Sequence, residues 1–344
     1  MMDNTKSVLV LGATGGIGGE MARQLLAAGW QVRAMRRGDT PPARGDGQGD
    51  GIRWLRGDAL SRADVLAAAK GCAVIVHAVN PPGYRNWGQL VLPMLDNTIA
   101  AAIAEGATIV LPGTVYNYGP DAFPASGDLL AEDAPQRPLT RKGAIRVELE
   151  ARLERASTQG ARVIIVRAGD FFGPRAGNNW FSQGLVKPGQ PVRSVLYPGA
   201  PGIGHQWSYL PDVARTMLRL LAVRATLPPF ARFHMAGHWD HDGRQMTGAI
   251  VRVVEQATGA RPVLKYFPWW LVALASPFVT TLREMREMRY LWQTPLCMDN
   301  TQLLAVLGQE PHTPLDEAVR ATLAGMGNLH TAAGKKNAPG LPAR

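Results

Sequence analysis

SVLVLGATGGIGGEMARQLL, residues 7–26, decides the fold. Aliphatic side chains from Val8 to Leu11 read as a strand, and glycines follow directly at 12, 15 and 18. The segment after them, GGEMARQLLAAG, repeats its apolar positions at a helical period. Strand, tight loop and helix in that order form a seat for a pyrophosphate. The glycines permit the turn and a close backbone approach, and the amides at the helix N-terminus face the anion. Gly12, Thr14, Gly15, Gly16, Ile17 and Gly18 are therefore the candidate phosphate-side residues.

Working outward, the same alternation continues to Gly169. WQVRAMR, IRWLRGD, CAVIVHAV, ATIVLPG and ARVIIVRAG read as further strands. SRADVLAAAKG and GQLVLPMLDNTIAAAIAEG read as helices between them. Apolar strands joined by helices predict an α/β fold, a Rossmann-like doubly wound parallel sheet that binds ligands at its carboxyl edge. Beyond Gly173 the alternation fades, which predicts a smaller C-terminal substrate lobe. The expected division is 1–173 with about 206–225 for the dinucleotide domain, and about 174–205 with 226–328 for the lobe. Residues 329–344 lack periodicity and are expected to be a disordered tail, and 38–51 a breaker-rich surface loop.

Composition narrows the function. With 46% hydrophobic and 19% charged residues among 344, the chain is globular in character. The net charge of +10 comes mostly from scattered arginines without interleaved aromatics, so no nucleic-acid partner is expected. Cys72 and Cys297 are the only cysteines, which excludes a disulfide framework or a cysteine zinc site. The first residues enter a strand without the pattern of a secretory signal, and a cytoplasmic location is expected. The second strand ends in Arg36 and Arg37, where an NAD-selective protein would place an acidic residue for the ribose hydroxyl. Arginine there suits a 2′-phosphate, so NADP(H) is the preferred cofactor and NAD(H) the other choice.

At this point the chain, from about Lys6 to Leu323, resembles the extended short-chain dehydrogenase/reductase superfamily, of the NAD-dependent epimerase/dehydratase type. GATGGIG resembles its nucleotide loop, and LRGDAL its strand-end acid, which gives Asp58 and Ala59 an adenine-side role. HAVNPP resembles the loop beside the cofactor ribose, which implicates Ala78, Val79 and Asn80. LPGTVYNYGP resembles the serine/threonine station and puts Thr114 at the hydroxyl position. VRAGDFFGP, with Asp170, resembles the loop that closes on the nicotinamide. WSYLPDVARTML resembles the segment whose acid, Asp212, caps a helix.

The resemblance breaks at one place. In LTRKGAIRVELE, residues 139–150, the family's Tyr-x-x-x-Lys aligns with Lys142 and Arg146, counted back from Glu150. Arg146 keeps the ribose contact and the positive charge that the resemblance implies. Lys142 lacks the phenol that exchanges a proton with substrate. Three readings stay open. Lys142 donates to a substrate oxygen, made more acidic by Arg146 one turn away. A nearby phenol substitutes: Tyr116, Tyr118, or Tyr84 in the NPPGYRNW loop. Or the protein binds dinucleotide as a sensor or scaffold without catalysis. The preferred reading is NADPH-linked reduction of a small carbonyl substrate, with Thr114, Lys142, Arg146 and Tyr116 as catalytic candidates.

Other features carry less. His205 and Trp207 fall where relatives line the substrate pocket, alongside Tyr84, Tyr118 and Asp170. His234, His238 and His241 with Asp240 and Asp242 look like a metal cluster, but a strand-to-loop junction does not make them converge, and no metal site is expected. The apolar run 268–282 is too short to span a membrane and is broken by Pro277. A cover for the cleft, an oligomer contact and interfacial association all remain open for it. A homodimer is expected through the helices near 87–105 and 140–159. The first of these has an apolar side of Leu90, Leu92, Leu95, Ile99 and Ile103.

Overall fold

The structure, a computed structural model, describes residues 6–38, 51–81, 87–122, 129–177 and 179–329. Tyr84, most of the expected loop at 38–51, and all but the first residue of the expected tail lie outside them. Six strands follow the sequence reading: β1 (Ser7–Leu11), β2 (Gln31–Arg36), β3 (Arg53–Arg56), β4 (Val74–His77), β5 (Thr108–Thr114) and β6 (Arg162–Ala168). The remaining strands are β7 (Asp170–Phe172), β8 (Ser194–Tyr197), β9 (His205–Tyr209), β10 (Phe230–His234), β11 (His238–Asp240) and β12 (Val263–Tyr266).

The main sheet is parallel, in the order β10-β6-β5-β4-β1-β2-β3. Its helices are α1 (Gly16–Ala27), α2 (Arg62–Ala69), α3 (Trp87–Glu105), α4 (Arg141–Ser157) and α5 (Leu210–Ala222). Strand alternation sorts the core into two layers. Val8 and Val10 pack with Met21, Leu25, Val213 and Met217 from α1 and α5. Leu9 and Leu11 turn the other way, onto Val65, Leu95, Leu149 and Leu153 from α2, α3 and α4. The order of strands reverses between β1 and β4, which opens a crevice at their carboxyl ends.

The small lobe holds the sheets β11-β9-β7 and β12-β8 with α6 (Gln245–Thr258), α7 (Trp269–Ala275) and α8 (Thr280–Glu287). Two helices end the described chain, α9 (Thr301–Leu307) and α10 (Leu315–Gly325). The expected division needs one change. Strand β10 pairs with β6 in the main sheet, and Leu303 of α9 packs into that core, so parts of 226–328 belong to the dinucleotide domain. Asp212 differs as well. It lies within the first turn of α5 and accepts from the Thr313 backbone N–H (2.6 Å) and hydroxyl (2.9 Å), tying down the C-terminal segment. Glu310 makes a similar tie, accepting from the N–H groups of Ala236 (2.9 Å) and Gly237 (2.8 Å).

Candidate active site

The crevice at the strand reversal is a cleft of about 910 Å³. Gly12 leaves β1 with φ of +89°, and a Cβ there would lie 2.4 Å from the Ala78 carbonyl oxygen. A Cβ on Gly18 would lie 2.2 Å from the Gly12 carbonyl. Neither position admits a side chain, so the loop hugs both β4 and its own helix. The Gly15 N–H closes the turn onto the Gly12 carbonyl at 2.9 Å, and α1 then begins at Gly16, with the first-turn amides at the cleft. The backbone of Ala176 crosses above: its carbonyl would meet a Cβ on Gly16 at 2.6 Å.

At one end of the cleft stand Arg36, the last residue of β2, and Arg37 after it, with Asp58 and Ala59 after β3. The Asp58 carboxylate accepts from the Leu60 N–H (3.0 Å), and its own N–H donates to Asp64 (2.9 Å), which fixes the turn into α2. Ser61 caps that helix by accepting from the Asp64 N–H.

The other end gathers Thr114, Tyr116, Lys142, Arg146 and Asp170. Helix α4 reaches it because Thr140 caps its N-terminus, accepting from the Gly143 N–H at 3.0 Å. Glycine at 143 lets the helix sit against the Tyr116 carbonyl, 2.2 Å from where a Cβ would be. Lys142 is buried, at 7% exposure, in the cleft wall. The Arg146 guanidinium lies 5.4 Å from the Trp87 ring centroid, and the Trp87 indole donates to Asn80. His77 also lines the wall. Its pKa falls to about 3, from burial first and then from the Arg146 charge. The Thr98 hydroxyl donates to the Met94 carbonyl (3.2 Å), so His77 Nδ1 donates to Thr98 at 2.8 Å.

A connected set of groups continues from Tyr116. Its hydroxyl donates to Asp170 Oδ1 at 3.2 Å, and Asp170 Oδ2 lies 2.9 Å from His205 Nε2. His205 Nδ1 in turn reaches the Leu291 carbonyl at 3.1 Å, and the ring stacks on Trp292 with centroids 3.6 Å apart. His205 thus sits behind the cleft wall, linked to it through Asp170, and Trp207 is packed in the lobe core.

One expectation about the neighbours of this helix changes, and it concerns Tyr118. Glu150 is buried beside it. Its carboxylate is held from both sides by Arg167 of β6, Nε at 3.0 Å and Nη2 at 2.5 Å, and by Asn117 at 2.9 Å. Tyr118 points into this buried network and not into the cleft. It donates to His234 Nε2 (3.0 Å) and accepts from Arg167, and burial pushes its pKa up to about 12. His234 is used up there, its other nitrogen donating to the Leu130 carbonyl at 3.0 Å. Asp240 caps α6 through the N–H groups of Gln245 and Met246, both at 3.0 Å. Among the described residues no three His, Cys, Asp or Glu side chains gather as a metal site would require.

Of the nucleotide-side candidates, Gly12, Thr14, Gly15, Gly16, Ile17, Arg36, Arg37, Asp58, Ala59, Ala78, Val79 and Asn80 line the cleft, while Gly18 packs beneath it. Sequence reading missed His77, Trp87, Arg175, Trp180, Met285 and Met288. Arg175 carried a signal, being a lone cation directly after the GP of the closing loop. The methionines carried none, since α8 reaches the cleft only through tertiary packing.

A sequence profile described as NAD dependent epimerase/dehydratase family matches residues 8–236. No curated protein matches the chain. Among solved structures, the UDP-glucose 4-epimerase of Brucella ovis in complex with NAD is similar at a TM-score of 0.68 and 14% identity, covering 94% of this chain and 98% of that one. The Thermus thermophilus UDP-glucose 4-epimerase complex with NAD follows at 0.67 and 20%, covering 93% and 98%. The Bordetella bronchiseptica enzyme WbmH in complex with NAD+ gives 0.66 and 19%, covering 93% and 97%. At these identities the structures speak to the fold.

Proposed function

Because this chain belongs to the NAD dependent epimerase/dehydratase family, we propose that it is an NADPH-linked oxidoreductase that reduces a small carbonyl substrate. The observation carrying this reading is the buried Lys142 in one cleft with Thr114, Tyr116 and the nucleotide loop. A dinucleotide fits the residues present. Without a Cβ at Gly12 and Gly18 the loop folds tightly onto β4 and α1, and the amides at the start of α1, at the cleft, supply the matching dipole for its pyrophosphate. When bound, the nicotinamide supplies the reducing equivalent. Arg146 holds the ribose hydroxyls, and its planar fork suits that contact. Thr114 orients the substrate oxygen, and Lys142 donates to it as negative charge develops. Tyr116 is the second candidate donor, in the same wall, and its hydroxyl proton would have to turn from Asp170 to the substrate.

Arg36 supports NADP(H) over NAD(H), since its guanidinium matches the charge and geometry of a ribose 2′-phosphate. Calorimetric titration is expected to show NADPH binding more tightly than NADH, with Arg36→Ala removing most of that difference. A charge-assisted contact of this kind is worth roughly 1.5–3 kcal/mol, so the preference should fall about tenfold or more. Equal affinities in the parent protein would count against the 2′-phosphate assignment.

We also propose a homodimer through α3 and α4. Leu95 faces the sheet, while Leu90, Leu92 and Ile99 are half-buried and Ile103 is exposed, which leaves an apolar strip for a second copy. Light scattering at micromolar concentration should give the dimer mass, and a monomer would dispose of this contact.

A further inference from the structure

Strand β12, helix α7 and the turn after it turn many apolar side chains to solvent, with Lys265 among them. Tyr266, Trp270, Leu274 and Phe278 are 71%, 69%, 69% and 87% exposed, and Val263, Leu264, Leu271 and Val279 are exposed beside them. Single exposed apolar residues carry little meaning, but a contiguous set marks an interaction surface. The surface rests on a firm base. On the inner side of α7, Trp269 donates to the Pro198 carbonyl at 2.7 Å and packs against Phe267 and Trp180, with centroids 4.9 and 6.0 Å away. Val272 is buried beneath it. The outer face therefore has no inward alternative while this packing holds.

Charge tells what the face meets. Between residues 261 and 289 the chain carries five cations, Arg261, Lys265, Arg283, Arg286 and Arg289, against two carboxylates at 284 and 287. All five cations are exposed; Arg261 is paired with Glu255 at 3.8 Å, which leaves four, and Glu287 is engaged by the Arg141 backbone N–H at 2.8 Å. A second copy packed on this face by two-fold symmetry would set these cations against their own counterparts, an unfavourable arrangement. An apolar, aromatic-rich surface with a basic surround instead matches the boundary of a bilayer that contains acidic lipid headgroups.

We infer that the β12–α7 face seats the protein on an anionic lipid surface. The contact is interfacial, since no helix among the described residues is long and apolar enough to cross a membrane. The seated face adjoins the cleft, because α8 follows directly and Met285 and Met288 line the cleft wall.

The test is co-sedimentation of the full chain with vesicles of phosphatidylcholine alone and of phosphatidylcholine mixed with phosphatidylglycerol. The protein should pellet with the mixed vesicles, less with the neutral ones, and less again as salt is raised. The double variant Trp270→Glu, Phe278→Glu should bind mixed vesicles at least about tenfold more weakly. Arg283→Gln and Arg286→Gln should each weaken binding on the order of fivefold. Unchanged thermal unfolding of these variants separates the surface effect from misfolding. Absence of pelleting with both vesicles, or full retention by the double variant, overturns the inference. So does a dimer that the double variant converts to monomer, which would assign the face to a second copy.

Discussion

Replacing Lys142 by methionine is expected to reduce NADPH oxidation in the presence of a carbonyl substrate by roughly 10²–10⁴-fold, the usual contribution of a positioned proton donor. Methionine preserves the length and apolar stem of a side chain that is 7% exposed, so the helix and its Thr140 cap should persist. NADPH affinity should change little, because Lys142 is assigned to substrate. Arg146→Met should do the reverse and weaken NADPH binding itself, through loss of the ribose contact. A broad carbonyl panel is needed, and sugar nucleotides belong in it because two structural neighbours are UDP-glucose 4-epimerases. Full rate in Lys142→Met would move the donor role to Tyr116, and Tyr116→Phe then becomes the decisive variant. If the parent protein turns over nothing in the panel yet binds NADPH, the sensor or scaffold reading holds.

Arg167→Met should destabilise the fold by about 3–5 kcal/mol, the typical effect of removing one partner from a buried ion pair. Arg167 and Glu150 are 0% and 4% exposed in their side chains. Without the guanidinium, the Glu150 carboxylate keeps hydrogen bonds from amide groups only, Asn117 at 2.9 Å and Gln136 at 3.4 Å. Tyr118 and the Glu132 carbonyl also lose a donor. Thermal or denaturant unfolding measures the loss. The double variant Arg167→Met, Glu150→Met should recover much of it, because a buried apolar pair of similar size is tolerated where a lone charge is not. Failure of that recovery would mean that the network around Tyr118 and His234, and not the ion pair, sets the stability.

The sequence was most legible where structure is local. Strands β1, β4, β5 and β6 announce themselves as apolar runs, β2 and β3 as short apolar stretches between arginines, and the nucleotide loop is written in consecutive residues. Strand β10 was legible as a strand, but not its place: Arg232 and His234 break its apolar run, and nothing local puts it beside β6 in the main sheet. The Lys142 end of the cleft was harder still. Tyr116 lies on a short 3₁₀ turn and Tyr118 directly after it in extended backbone, and only the turn's direction sends the first to the cleft and the second into the core. Likewise, Glu150 is held by Arg167 from a neighbouring strand. No local pattern contains that contact.

The ties from Asp212 to Thr313 and from Glu310 to the backbone after β10 have a consequence in time. A chain leaving the ribosome from its N-terminus completes the nucleotide loop and six strands of the sheet within its first half. The seventh strand comes much later, and the residues that pin it and α5 come near the end. Until then β6 is an open edge with unpaired backbone groups, available to any other extended segment. The nucleotide half of this protein is thus written early and closed late, and the nascent chain is most in need of protection between those two moments.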